Sequence, residues 1–212
     1  MKKLLIWGAG DQGTVTLECA LAMNQYAAID FLEIKEKGHR RIPGRVIYRE
    51  DDDDIGRIIR SYDEIIVATG SNDLRDKKIS RLISMERPLA TVIHPTAVIS
   101  PSAKIAGGCT ILANAVVHTN AVVGTGCIIN TAAVIEHDCI IEDFVNICPN
   151  ASMAGHTQIG RKSFLGIGST IIDGIRIGKE AVVGAGAVVI RNVPDFTTVV
   201  GVPAKPKSAR QI

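Results

Sequence analysis

The sequence predicts two unlike units: a small parallel α/β sheet over residues 1–90, then a triangular parallel β-solenoid over residues 91–212. Three observations carry this. From Ile93 to Pro194 the chain keeps one unbroken six-residue register, and before it strand-like runs alternate with helical spacing. Hydrophobic content is 46% but aromatic content only 4%. A narrow solenoid interior takes Ile, Val and Ala and has little room for rings.

The first unit opens with Leu4-Leu5-Ile6-Trp7, a buried strand, and turns at Gly8-Ala9-Gly10-Asp11-Gln12-Gly13 into a helix from Thr14 to Asn24. Ala28–Leu32 reads as a second strand and Glu64–Thr69 as another, closed by Gly70. Ile55–Ser61 and Leu74–Met85 carry helical spacing, so strands and helices alternate as in a parallel sheet. The acidic run Glu50 to Asp54 is expected to be a solvated helix start rather than a metal site. Arg87-Pro88 to Pro95 joins the units without a flexible linker, which predicts rigid packing.

The second unit contains seventeen hexads, the first at Ile93 and the last at Val189. Each begins with a branched aliphatic residue or Met. The fifth position, read as the corner, is small except at Val145, Ile175 and Val193. Each hexad is then one short strand, and three close a coil of eighteen residues. Burial worth about 1.5–3 kcal/mol per aliphatic accrues only when coils stack. Ordinary sandwich strands would alternate with period two, which this region does not do. The tail Val200-Gly201-Val202-Pro203-Ala204-Lys205 is expected to leave the solenoid through a glycine-proline turn.

Composition limits the function classes. A net charge of +2 gives no support for nucleic acid, and no stretch approaches the roughly 18 apolar residues of a membrane span. The amino terminus lacks a cleavage-site pattern. Five cysteines without paired spacing read as reduced residues of a soluble, cytoplasmic protein; Cys109, Cys127 and Cys139 fall at the small inward position.

Two features carry chemistry. Gly8-x-Gly10-x-x-Gly13 follows a strand and opens a helix, and Glu33 lies twenty residues beyond Gly13. This is the Rossmann-like fingerprint, with an acid for a ribose hydroxyl. About ninety residues are too few for a two-half dinucleotide fold with a substrate domain, so the expected ligand is a nucleotide diphosphate rather than NAD. The second feature is His137 in Ile135-Glu136-His137-Asp138-Cys139, at the third position of its hexad and expected to face outward between carboxylates. Such a histidine suits general-base removal of a proton from an amine or hydroxyl. Cys139 points into the core, so an acyl-enzyme is not expected.

His118 and His156 each lie nineteen residues from His137. This raises a competing class, a zinc lyase of gamma-carbonic-anhydrase type built on the same solenoid. A drift of one position per coil is expected to swing the three side chains apart, so no metal is expected. An inert assembly scaffold would have no need of a carboxylate-flanked outward histidine.

With these residues in view, the chain closely resembles the bacterial nucleotide-sugar acetyltransferases of the sialic-acid O-acetyltransferase type. It matches best the branch that N-acetylates the UDP-4-amino sugars of bacillosamine-type glycans. The resemblance runs nearly end to end, through Gly8–Gly13, Gly70-Ser71-Asn72-Asp73-Leu74-Arg75, Ile93-His94-Pro95, Ile129-Asn130-Thr131 and Ile135–Cys139. It continues at Phe164-Leu165-Gly166, Val183-Gly184-Ala185-Gly186 and Gly201–Lys205.

It implies a left-handed β-helix, a homotrimer with sites between protomers, and acetyl-CoA as co-substrate without a metal. His137 would be the general base and Asp138 the residue raising its basicity. Gly10, Asp11, Gln12, Glu33, Ile34 and Gly70 would hold the nucleotide sugar, and Asn146, Ile167 and Ala185 the acetyl-CoA. The implied reaction is N-acetylation of a sugar 4-amine, with O-acetylation of a sugar hydroxyl as the alternative. Two departures stand out: members commonly have two acids where this chain has Glu33-Ile34-Lys35, and often a histidine where it has Asn146.

Overall fold

The computed structural model describes residues 1–34, 42–51 and 54–207. Lys35 of the motif after the second strand, and Asp52 and Asp53 of the acidic run, lie outside the described residues.

In the first unit β1 (Lys2–Trp7), β2 (Tyr26–Glu33), β3 (Ile47–Arg49) and β4 (Glu64–Val67) form one parallel sheet in the order β3-β2-β1-β4. The helices are α1 (Asp11–Ala22), α2 (Ile55–Arg60) and α3 (Asn72–Ser84). Period-two alternation along β1 sorts the core. Leu4 and Ile6 pack with Leu17, Ala20 and Phe31, whereas Leu5 and Trp7 pack with Ile59, Ile79 and Leu82. β3 was not foreseen, because three residues are too short for periodicity to register. Contacts to β2 fix it instead: the Phe31 N–H donates to the Val46 carbonyl and the Val46 N–H to Asp30 Oδ1. Asp54 caps α2, accepting from the Arg57 N–H, as expected of the acidic run. Glu50 departs from that reading and pairs with Lys78 of α3.

The second unit is a left-handed parallel β-helix. Its seventeen two-residue strands run from Val92–Ile93 to Val188–Val189, each pairing with the strand three along, as in Val116↔Val134↔Ser152. Three flat faces result. The first carries Val92–Ile93 and its stack, the second Val98–Ile99, the third Lys104–Ile105. The first position of each hexad points inward; Ile111, Val117, Ile129 and Ile135 are fully buried.

The corner is not where the sequence reading put it. The turn falls at the third and fourth positions, and the fourth has positive φ in every hexad from Gly108 to Gly186, including Asn120, Asp138, Phe144 and His156. From Gly126 onward its N–H donates to the third-position carbonyl of the coil before, as Asp138 to Thr119 and His156 to His137, whereas the Asn114 and Asn120 N–H groups donate to Thr96 Oγ1 and Ser102 Oγ. The small fifth residue follows the turn and re-enters the core, as Ala115, Ala133 and Cys139 do. Each left-handed non-glycine residue costs about 1–2 kcal/mol, and these regular bonds hold it in place. The tail also differs: Thr198–Val200 continues the first face, and Lys205–Pro206 folds back antiparallel upon it.

The units join without slack, since the Ala90 N–H bonds to Ile65 of β4 and the Val92 N–H to Cys109 of the first coil. Arg75 of α3 is the latch. Fully buried, it donates to the carbonyls of Gly126, Phe144 and Thr69 and to Asn72 Oδ1. Burial pulls its guanidinium down to about 10, so it stays charged near neutrality. Around it, Lys162 pairs with Asp73 and Asp76, and Arg161 with Asp76. All these contacts lie on the edge between the third and first faces.

Candidate active site

Gly10, Asp11, Gln12, Glu33, Ile34 and Gly70 line one cleft of about 310 Å³ at the carboxyl ends of the strands. The cleft is built by the glycine loop. A Cβ at Gly8 would lie 2.3 Å from the Ala68 carbonyl oxygen and one at Gly13 2.0 Å from that of Gly8, so both glycines are needed for packing. Gly10 differs: a Cβ there would meet nothing within 4 Å, and its φ of −77° suits any residue. Its missing side chain opens the cleft instead of the fold. No side chain caps α1 at Gly10, so the positive end of the helix faces the cleft.

Glu33 is more committed than the fingerprint suggested. It is buried, and its two oxygens accept from the Ala9 and Ile34 N–H groups, bracing the loop from below. Lys78 and Glu50 also line the cleft, Nζ and Oε1 being 2.5 Å apart, with Nζ 4.9 Å from the Trp7 ring centre. No sequence motif pointed to this pair, because it joins α3 to the end of an unforeseen strand.

His137 stands on the edge between the second and third faces, its side chain about half exposed. Nδ1 is 2.9 Å from Asp138 Oδ2, while Asp138 Oδ1 accepts from Asn120 Nδ2 at 3.1 Å. These bonds, first that from His137 and then that from Asn120, hold the Asp138 carboxyl below its ordinary range. As a carboxylate, Asp138 fixes the proton on Nδ1 and leaves Nε2 as the basic nitrogen. Glu136 does not flank the ring as expected; it faces His118 at 4.0 Å. Below the imidazole lies Gly155, where a Cβ would sit 2.5 Å from Cε1 and 2.7 Å from Nε2 of His137. Asn120 and Gly155 were missed by the sequence reading, yet the signal was present. Each is one coil of eighteen residues from its partner, 120 from 138 and 155 from 137.

The same arithmetic corrects the histidine geometry. His156 is eighteen residues from Asp138, so it stacks on the partner of His137 rather than swinging away. The two rings lie edge to face, 5.1 Å apart. His118 alone points elsewhere. Cys139 is buried, its Sγ donating to the Ala154 carbonyl, and burial raises its thiol, as expected of a core residue.

The comparisons follow this division. Residues 3–82 match the family described as the PglD N-terminal domain, and residues 156–191 the bacterial transferase hexapeptide repeats. The chain is 31% identical to PerB from Caulobacter crescentus, solved with CoA and GDP-perosamine, over 98% of both chains at a TM-score of 0.90. It is 34% identical to the acetyltransferase domain of PglB from Neisseria gonorrhoeae, solved with acetyl coenzyme A, over 97% of this chain and 99% of that one, TM-score 0.88. The chain belongs to the hexapeptide-repeat nucleotide-sugar acetyltransferases. Within the curated relatives it is 39% identical over 75 residues to a serine acetyltransferase of Buchnera aphidicola, spanning 29% of that protein.

In this acetyltransferase, the three positions expected for acetyl-CoA do not all fall together. Ile167 and Ala185 are exposed and stack one coil apart on the edge between the first and second faces. Asn146 lies on the first face, buried, with its Oδ1 accepting from Asn130 Nδ2. That bond leaves Nδ2 as the donor end of the amide. Among the described residues no helix is long and apolar enough to cross a membrane.

Proposed function

We propose that this chain moves the acetyl group of acetyl-CoA onto the 4-amino group of a nucleotide-linked amino-deoxy sugar, by direct transfer in a ternary complex. The amine lone pair attacks the thioester carbonyl carbon, and His137 Nε2 takes the proton from nitrogen. The tetrahedral adduct then collapses, the C–S bond breaks, and the sulfur leaves as CoA thiol with that proton. Backbone amides would steady the oxyanion. The observation that carries this reading is the half-exposed imidazole held through Nδ1 by Asp138.

Residues 1–90 would hold the nucleotide sugar at the six-residue cleft. Residues 91–212 would hold acetyl-CoA along Asn146, Ile167 and Ala185. Within one protomer the first unit docks on the first coils of the first face through α1 and on the edge between the third and first faces through α3, and His137 stands on the edge between the second and third faces. A site completed by a neighbouring protomer, and hence a homotrimer, reconciles these positions. The outward valines Val98, Val116, Val134 and Val188 of the second face give such a neighbour an apolar surface.

The test is thiol release from acetyl-CoA with UDP-, dTDP- and GDP-4-amino sugars, in wild type and His137→Ala. The variant should lose about 10²–10⁴-fold in kcat with its thermal midpoint unchanged. Near wild-type turnover at pH 7 would remove His137 as the base. Turnover of hydroxy sugars alone would replace N- by O-acetylation.

A further inference from the structure

We propose that His137, Asp138 and His156 form an inhibitory site for a divalent transition metal, zinc foremost. One donor atom from each of the three lies within 4.8 Å of the others. Tetrahedral zinc with bonds of about 2.0–2.2 Å needs donors roughly 3.3–3.6 Å apart. The side chains of His137 and Asp138 are 48% and 40% exposed, and His156 is exposed too, so χ rotation can close that gap.

What cannot move is the backbone beneath them. The His156 N–H is bonded to the His137 carbonyl, the Asp138 N–H to that of Thr119, and both fourth-position residues are fixed in left-handed turns. Asn120 steadies the carboxylate from the adjacent coil. Two imidazoles and one carboxylate suit zinc, copper or nickel, and offer too few oxygens for magnesium or calcium. His118, one coil below Glu136, is turned to that carboxylate and takes no part. Four of the five cysteines are buried and Cys148 is half-buried, which limits competition from thiol ligands.

A bound metal would occupy a lone pair of His137 or displace its Asp138 partner. Either change removes the oriented base, so the metal inhibits. The inhibitory half of this inference rests on the reading of His137 as the base; the binding half stands on the geometry alone.

The experiment uses chelator-treated full-length enzyme at pH 7.5, titrated with zinc in competition with a chromophoric zinc indicator while acetyl transfer is followed in parallel. Wild type should take up one zinc per protomer and lose turnover as the site fills. EDTA should restore turnover, and millimolar magnesium should do nothing. His156→Asn should bind zinc at least about tenfold more weakly, and Asn120→Ala about 10–100-fold, the cost of a lost outer-shell partner. Equal zinc affinity in wild type and His156→Asn overturns the site, and stoichiometric zinc uptake without loss of turnover overturns its inhibitory role. If His137→Ala keeps full turnover, the proposed chemistry falls and zinc uptake still reports on the site.

Discussion

Gly155→Ala tests the catalytic assignment with the smallest possible change. The added methyl would lie 2.5 Å from Cε1 and 2.7 Å from Nε2 of His137, where ordinary contact begins near 3.4 Å. The ring must therefore retreat by about 1 Å. It can do so cheaply, because it is half exposed and ends a flexible side chain, and Gly155 is not among the residues with positive φ. Stability should thus stay within about 0.5 kcal/mol. A misplacement near 1 Å of a catalytic group costs on the order of 10²-fold, so kcat should fall by that factor while KM for both substrates moves little. The assay is steady-state thiol release beside a thermal melt. A variant with wild-type kcat and an unchanged melt would refute the reasoning, since the ring position seen here would then be irrelevant to turnover.

Other expectations follow from the same geometry. Asp138→Asn should lower kcat less than His137→Ala, because the ring keeps its Nε2 but loses the carboxylate that fixes the proton on Nδ1. In the wild type the depressed Asp138 carboxyl keeps its pairing above the ordinary carboxylate range and loses it only as pH falls through the depressed value, so it should add no inflection between about pH 5 and 9. Gly10→Val should fold normally and raise KM for the sugar nucleotide with KM for acetyl-CoA unchanged; equal weakening of both substrates would defeat the division between the units. Arg75→Met should destabilise by about 3 kcal/mol or more, measured by denaturant unfolding, because two buried carbonyls and one half-buried carbonyl lose their donor. A loss under 1 kcal/mol would show that water or neighbouring groups replace the latch.

The solenoid was legible from Ile93 onward because each coil repeats one local decision, an aliphatic inward and a turn after it. Repetition makes the six-residue period visible without any long-range knowledge. The glycine loop was legible because its spacing between a strand and a helix is itself a short-range pattern: Gly13 answers to the Gly8 carbonyl, although Gly8 answers to that of Ala68, far along the chain. His137 stood out through its neighbour Asp138. The sequence by itself therefore determined the fold class, the cleft and the candidate base.

What it could not determine are contacts whose partners lie on another coil or another unit. Glu136 looks like a partner of His137 in sequence, but side chains one coil apart stack, so it faces His118 while Asn120 and His156 gather on Asp138. Glu50 looks like part of a helix start, but the packing of α3 against the sheet brings Lys78 to it. Nothing in the sequence around Arg75 signals burial, and only the docking of the two units surrounds it with carbonyls and buries it. Spacing along the chain fixes which residue stacks on which only once the coil length is known. The meeting of separate units is decided by surface fit, which the tertiary structure alone contains.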